Sequence, residues 1–156
     1  MTIFISHRGN LLGKDLNLEN NPTQVETVIK KGYDCEIDLH KVGKKLYLGH
    51  DEPQYEISIN WLLEHSNRLW IHTKNFDALN LLSSNHKELN YFRHQEDDFT
   101  LTSNNLIWTF PEKQTSSVFK KKLLVRTRQH YTYVLNITHT YSYIHTNAPA
   151  PLLKSN

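Results

Sequence analysis

The segment DCEIDLH, residues 34–40, alternates apolar and polar side chains with the two-residue period of a β-strand. One face of this strand would carry Cys35, Ile37 and Leu39, and the other Glu36, Asp38 and His40. Upstream, Asn21 followed by Pro22 is a good helix start, and Gly32 is a good helix end. A helix therefore leads into the strand, as in the repeating unit of a parallel α/β fold.

The same alternation extends through the first 112 residues. Apolar, β-rich runs predict strands at TIFIS (2–6), LYLGH (46–50), LWIH (69–72) and NYFR (90–93), and a strand–turn–strand over 99–110. Apolar residues predict one helix around Ile59, Leu62 and Leu63, and another around Phe76, Leu79 and Leu82. We therefore expect an α/β protein built on a parallel sheet.

The amino-acid composition argues against a disordered, a membrane-spanning or a disulfide-bonded protein. A chain of 156 residues suits one folded domain, and 38% hydrophobic against 22% charged residues argues against disorder. No apolar run approaches the roughly 18 residues of a membrane span, and the N-terminus lacks the pattern of a secretory signal. We therefore expect a cytoplasmic protein without a transmembrane segment. Because Cys35 is the single cysteine, an intramolecular disulfide is excluded.

Charge divides the chain near residue 112. Residues 1–112 carry 11 Lys or Arg and all 16 acidic residues, whereas residues 113–156 carry seven basic residues and no acidic one. We predict a core over 1–112 and a basic segment over 113–156, which is either a divergent end of the fold or a tail. This segment contains a basic cluster, formed by Lys120, Lys121, Lys122, Arg126 and Arg128. The cluster fits a solvated tail, which we favour, or an arm for nucleic acid or a membrane surface; we expect no nucleic-acid partner.

Three short motifs stand at the predicted C-terminal ends of strands, where parallel α/β proteins gather ligands and catalytic groups. They are His7-Arg8-Gly9, Glu36-Ile37-Asp38 and His50-Asp51. Each motif alone also fits ordinary polar surface, since most histidines and charged residues are exposed. Their joint occurrence within the first 51 residues favours a site.

The residue types in these motifs suit phosphodiester cleavage. Glu36 and Asp38 project from one face of a strand, and adjacent carboxylates resist ionising together unless a cation such as Mg²⁺ or Ca²⁺ lies between them. His7 and His50 can exchange protons near neutral pH, and Arg8 offers donors that match a phosphate. The metal would neutralise phosphate oxygens while one histidine activates the nucleophile and the other protonates the leaving alkoxide.

The stretch that contains these motifs resembles the N-terminal part of the glycerophosphodiester phosphodiesterase family. That family has an HRG strand end, an EN pair followed by a helix, a glycine before an E-x-D strand, and a closing HD. The matching residues are His7-Arg8-Gly9, Glu19-Asn20, Gly32, Glu36-x-Asp38 and His50-Asp51. Residues 70–111 also resemble short bacterial and viral-type members, so the likeness covers about 110 residues of the chain.

The resemblance implies a TIM barrel that hydrolyses glycerophosphodiesters of lipid metabolism to glycerol phosphate and an alcohol. It implies a divalent cofactor, Mg²⁺ or Ca²⁺ first and Mn²⁺ as an alternative, and a small-molecule substrate. Carried over by position, the implied site contains catalytic His7, His50 and Arg8, metal-binding Glu36 and Asp38, and substrate-binding Arg8, Lys74 and Glu19.

One departure from the family concerns the metal. Typical members have a third metal-binding carboxylate two residues before the lysine, where this chain has His72. As a ligand, His72 would shift the preference from Ca²⁺ toward Mn²⁺ or Zn²⁺. Alternatively, Glu19, Asp51 or Asp97 completes the metal shell, or His72 points into a pocket. His94 is a further candidate to face the site, although a surface position is favoured.

The other departure is length, because a closed barrel of this type normally needs about 200 residues or more. Only 44 residues follow residue 112. We therefore expect a TIM-barrel-like parallel α/β fold that is shortened or incomplete at its C-terminal end. The alternative function is a catalytically degenerate barrel that binds phosphate-containing ligands without efficient turnover.

Overall fold

The structure, a computed structural model, describes residues 2–109, 123–126 and 132–136. Its three helices are α1 (Pro22–Lys30), α2 (Ile59–Glu64) and α3 (Phe76–Asn85). Its strands are β1 (Thr2–His7), β2 (Asp34–Val42), β3 (Lys45–Leu48), β4 (Tyr55–Ile57), β5 (Leu69–Thr73), β6 (Tyr91–Phe92), β7 (Phe99–Leu101), β8 (Ile107–Thr109), β9 (Leu123–Arg126) and β10 (Thr132–Asn136). No helix in this part of the chain is long and apolar enough to cross a membrane.

All ten strands belong to one mixed sheet, in which antiparallel strands lie on both sides of a group of parallel strands and β8 and β9 form a further parallel pair. Strands β1, β2, β5 and β6 are parallel neighbours in that order. Their register sets His7 beside Glu36, and Asp38 beside His72. Strand β3 returns antiparallel along the C-terminal half of β2, and β10 pairs antiparallel with β1 along its other edge.

The fold is therefore mixed α/β with a mainly sheet core, which confirms the predicted α/β class, whereas the sheet mixes parallel and antiparallel pairs instead of being parallel throughout. The predicted strands at 2–6, 34–40, 69–72 and 90–93, the three helices and the strand–turn–strand over 99–110 are all present. Of residues 113–156, the structure describes two strands, β9 and β10, and the basic cluster lies outside the residues whose side chains are described.

An all-parallel closed barrel is not shown. Among the described strands, no ladder joins β6 to β7, and β1 has an antiparallel neighbour where the barrel would place a parallel one. The physical reason is connection length. A parallel partner needs a crossover of about a dozen residues or more, whereas β9 and β10 are joined by a short connection and form an antiparallel hairpin.

Each helix begins at a side-chain cap that the sequence supplies. Asn21 accepts hydrogen bonds from the backbone N–H groups of Thr23 and Gln24, with proline at the first helical position of α1. Ser58 caps α2 by accepting from Trp61. Asn75 caps α3, and its side-chain amide also donates to the Lys41 carbonyl, which ties the helix to the end of β2.

The helices bury one face of the parallel strands, and a small aromatic cluster lies on the opposite face. The helix side is built from Val25, Val28, Cys35, Ile37, Leu39, Leu62, Ile71, Ala78 and Leu82. The other side contains Ile5, Trp70, Phe92, Leu106 and Trp108. The polar face of β2 is also buried, with Glu36 3% and Asp38 0% exposed. These carboxylates therefore do not lie on a solvated strand face.

Cys35 provides a probe of this packing because its thiol is fully buried between β2 and the helices. Burial raises the pKa of the Cys35 thiol to about 12, so the reactive thiolate is scarce at neutral pH. We expect a thiol reagent such as Ellman's reagent to leave the native protein unmodified at pH 8. In guanidinium chloride the reagent should modify one thiol per chain. Equally fast reaction in both conditions would contradict the packing.

Candidate active site

The C-terminal ends of the parallel strands converge on a cavity of about 370 Å³. Its walls are formed by His7, Arg8, Glu36, His50, His72, Lys74, Arg93, His94, Gln95 and Trp108. Six of these residues were singled out as site residues from the sequence pattern or the family resemblance. Asp38 and Glu19 lie directly behind the cavity wall, in contact with Arg8. The structure therefore brings together the residues that the sequence placed at separate strand ends.

A sharp backbone turn after β1 directs Arg8 into the site. Arg8 has a positive φ of 56°, and its N–H group donates to the Glu36 carbonyl at 2.8 Å. Its own carbonyl accepts from the backbone N–H of Asn20 at 3.0 Å. These two bonds fasten the turn to β2 on one side and to the segment before α1 on the other. Arg8 thus gains its position from backbone pairing rather than from side-chain contacts alone.

The Asp38 carboxylate is the centre of the site, with donors around both oxygens. Oδ2 lies 2.8 Å from Arg8 Nε, 3.1 Å from Asn20 Nδ2 and 3.1 Å from His50 Nδ1. Oδ1 lies 2.9 Å from His72 Nδ1 and 3.6 Å from Lys74 Nζ. The backbone N–H of Asp38 donates to Asn20 Oδ1 at 2.8 Å, so Asn20 holds Asp38 through both groups of its amide.

The charges at this centre stabilise one another. Burial by itself raises the pKa of Asp38, but hydrogen bonds from His50 and His72 and the charge of Arg8 outweigh burial and hold that pKa well below its usual range. Burial likewise lowers the pKa of Arg8, but the negative charges of Asp38 and Glu36 outweigh it and raise the pKa. Asp38 and Arg8 therefore stay ionised near neutral pH.

Glu19 orients Arg8 from the side away from Asp38. Its Oε2 lies 3.0 Å from Arg8 Nη1, and its Oε1 accepts from Asn10 Nδ2 at 3.2 Å. Both carboxylate oxygens are therefore used by the protein itself. In the structure Glu19 holds Arg8 and Asn10, and the contact with the substrate that the resemblance implies for Glu19 stays a prediction.

His50 lies on the turn after β3, and this turn is fixed by a buried histidine. His40 Nε2 lies 2.9 Å from the Gly49 carbonyl, and burial lowers the pKa of His40, which leaves a neutral ring to donate this bond. A side chain at Gly49 would collide with the Glu52 carbonyl. His50 Nδ1 then reaches Asp38 at 3.1 Å, while Nε2 lies 3.2 Å from Arg8 Nη2.

Glu36, Asp38 and His72 form a buried cluster that could hold a metal ion, since one ligand atom from each lies within 4.8 Å of the others. Two carboxylates and an imidazole are suitable ligands for a divalent ion. The other candidates for a third ligand are placed differently. The Asp51 side chain is 89% exposed, and Asp97 is also exposed and does not line the cavity.

Several residues that line the cavity were not among those predicted from the sequence. Arg93 and Gln95 flank His94 just after β6, and the rule that strand ends carry function would have found them. Trp108 lies on β8 and lines the cavity, where its ring is stacked on Phe92 with ring centroids 4.4 Å apart and an interplanar angle of 20°. No local pattern marks that contact. His94, for which a surface position was favoured, lines the cavity.

Asn20 offers a test of how the site is held. Asn20 has a positive φ of 61°, so Asn20→Gly removes the side chain without imposing backbone strain. The substitution leaves the buried N–H and Oδ2 of Asp38 without an amide partner. We expect the free energy of unfolding, measured in urea, to fall by about 1–3 kcal/mol.

The matched control is Asn105→Gly, at an exposed asparagine with a φ of 59°. It changes the flexibility of the unfolded chain in the same way but removes no contact with Asp38. The difference between the two variants measures the side-chain bonds. Equal free energies of unfolding would show that Asn20 does not support Asp38.

Comparison with protein-family models, with curated proteins and with solved structures found no match to this chain.

Proposed function

We propose that this protein is a metal-dependent phosphodiesterase that hydrolyses glycerophosphodiesters to glycerol phosphate and an alcohol. The observation that carries the proposal is the shared cavity, in which two histidines, an arginine, a lysine and a buried carboxylate–imidazole cluster meet. These groups supply acid–base catalysis, phosphate binding and a metal site within one space. The resemblance of residues 7–51 to the glycerophosphodiester phosphodiesterase family points to the substrate class.

His50 is the better candidate for the general base. Its Nδ1 lies 3.1 Å from the ionised Asp38 carboxylate, which favours a proton on Nδ1. Its Nε2 lies 3.2 Å from Arg8 Nη2, and a guanidinium only donates, so Nε2 accepts. The ring therefore presents an unprotonated Nε2 beside the arginine that would hold the phosphate. This is the arrangement in which a buried carboxylate orients a catalytic histidine.

His7 is then the candidate for the general acid, on the strand next to Glu36. Its Nε2 lies 3.6 Å from Glu36 Oε2, so the imidazole faces a carboxylate. His7 is 2% exposed and lines the cavity, so a proton that it donates goes to a group bound there. The alkoxide that leaves the phosphorus is such a group.

Arg8 and Lys74 are the candidates for phosphate binding. Arg8 retains its charge in a buried position and presents a planar set of donors. Lys74 Nζ lies 3.6 Å from Asp38 Oδ1 and 3.5 Å from His50 Nδ1, so the ammonium group adjoins the base. A divalent ion bound by Glu36, Asp38 and His72 would add further neutralisation of the phosphate oxygens.

The four parallel strands support a barrel-like framework for this function. Their order follows the chain, the helices cover one face, and the catalytic candidates lie at the C-terminal ends, as in the first half of a TIM barrel. We propose that the chain uses this half-barrel as a shortened version of that fold. Its substrates would be small, since the cavity measures about 370 Å³.

The function is tested by measuring release of glycerol phosphate from glycerophosphocholine and glycerophosphoethanolamine. We expect the full-length protein to release it with Mn²⁺, Mg²⁺ or Ca²⁺ and to lose this activity in EDTA. Adding back the ion should restore the activity. Absence of hydrolysis with every ion, in protein shown to be folded by circular dichroism, would contradict the proposal. Phosphate binding without hydrolysis would then favour the degenerate binding barrel.

The acid–base pair makes a second prediction. We expect His7→Ala and His50→Ala each to lower kcat by about 10²- to 10⁴-fold, the usual contribution of a positioned acid or base. His86→Ala is the matched control, because His86 lies at the end of α3 beside Glu88 and outside the cavity. Activity of either cavity variant at the level of the control would overturn the assignment of the pair.

A further inference from the structure

The ring of His72 is held in one orientation by two stacking contacts. It lies on β5 and is stacked parallel to Phe92, with centroids 5.2 Å apart, and parallel to His94, with centroids 4.6 Å apart. Both ring contacts have interplanar angles of 2° or less. Rotation about the terminal torsion of His72 would break this packing. The directions of its two nitrogens are therefore fixed before any ligand arrives.

The two nitrogens of His72 face different groups. Nε2 lies 3.2 Å from the backbone carbonyl oxygen of His94, which can only accept a hydrogen bond. Nδ1 lies 2.9 Å from Asp38 Oδ1 and 4.0 Å from Glu36 Oε1. Without an ion, Nδ1 donates a hydrogen bond to the ionised Asp38 carboxylate. A bound ion would take the place of that Nδ1 proton while the proton on Nε2 stays directed to the carbonyl, so the lone pair of Nδ1 would face an ion held by the two carboxylates. A carbonyl that fixes the tautomer in this way is the usual support of a metal-binding histidine.

Cations beside Asp38 reduce the attraction of the site for an ion that binds by charge alone. Oδ2 of Asp38 already faces the guanidinium of Arg8, and Oδ1 lies 3.6 Å from the ammonium group of Lys74. Mg²⁺ and Ca²⁺ depend on oxygen ligands and on negative charge. An ion that also forms a strong bond to imidazole nitrogen gains affinity from His72, and this compensates for the reduced negative charge of the carboxylates.

We propose that His72 is the third metal ligand, through Nδ1, and that it makes the site selective for first-row transition-metal ions such as Mn²⁺ and Co²⁺ over Mg²⁺ and Ca²⁺. This inference rests on the proposed function for its biological meaning. Its evidence is the geometry of the ring, the carbonyl behind it and the two carboxylates in front of it. On this inference, having His72 where the family has a carboxylate changes which metal ion the site prefers.

The test measures metal binding directly on the full-length protein after removal of metals with EDTA and buffer exchange. Mn²⁺ binding is followed by loss of the free-ion electron paramagnetic resonance signal, and Co²⁺ binding by its visible absorption. We expect both ions to remain bound in about 100-fold excess of Mg²⁺ or Ca²⁺. In His72→Gln the affinity for Mn²⁺ should fall at least about tenfold, and the Co²⁺ spectrum should change.

Two further variants complete the design. His72→Glu supplies the carboxylate typical of the family and should bring the affinities for Mg²⁺ and Mn²⁺ closer together. His86→Gln makes the same chemical change as His72→Gln at the end of α3, outside the cavity, and should leave metal binding unchanged. Circular dichroism confirms the fold of each variant, and His72→Glu remains decisive if His72→Gln fails to fold.

Equal affinity of the wild-type protein for Mn²⁺ and Mg²⁺, unchanged Mn²⁺ affinity in folded His72→Gln, or an unchanged ratio of Mn²⁺ to Mg²⁺ affinity in folded His72→Glu would overturn the inference. If Mg²⁺ then supported hydrolysis as well as Mn²⁺ does, the proposed phosphodiesterase activity would still be supported. Selective Mn²⁺ binding through His72, with no hydrolysis of any glycerophosphodiester, would support the metal site and reject the proposed function. The metal selectivity and the proposed function would therefore be refuted by different results.

Discussion

The site depends on the buried negative charge of Asp38. A carboxylate removed from water is strongly destabilised unless its charge and both oxygens find partners. Here the partners come from four separate segments: the turn after β1, the segment before α1, the turn after β3, and the C-terminal end of β5. Together these segments keep the carboxylate ionised. The charge therefore links the formation of the site to the formation of the fold.

The contacts of Asp38 also determine how the other charged and polar side chains are oriented around the cavity. Arg8 is held between Asp38 and Glu19, so its guanidinium has one orientation. His50 and His72 each direct one ring nitrogen to Asp38, which determines what the other nitrogen meets. A single carboxylate thus positions groups suited to phosphate binding, proton transfer and metal binding. Replacing it would disturb all three, whereas replacing any one partner disturbs mainly that partner's role.

The sequence predicted the local structure well because the signals for it are local. The alternation at residues 34–40 and the Asn21-Pro22 start of α1 depend on neighbouring residues alone. Placement of the motifs at strand ends also predicted which side chains would meet. The bond between Asn20 and Asp38, and the stacking of His72 against Phe92 and His94, depend on contacts between segments that are distant in the chain. No pattern along the chain encodes those contacts, and the antiparallel pairing of β1 with β10 was likewise unpredicted.

That pairing has a consequence for the order in which the protein is made. Strand β1 is synthesised before the other described strands, yet the register places Thr2 beside Asn136. One edge of β1 must therefore wait for more than a hundred further residues before its backbone groups are paired. Contacts between such distant parts of a chain slow folding, and an unpaired edge in the meantime can recruit a strand from another chain. The protein would thus be most vulnerable to aggregation while its last described strand is still within the ribosome.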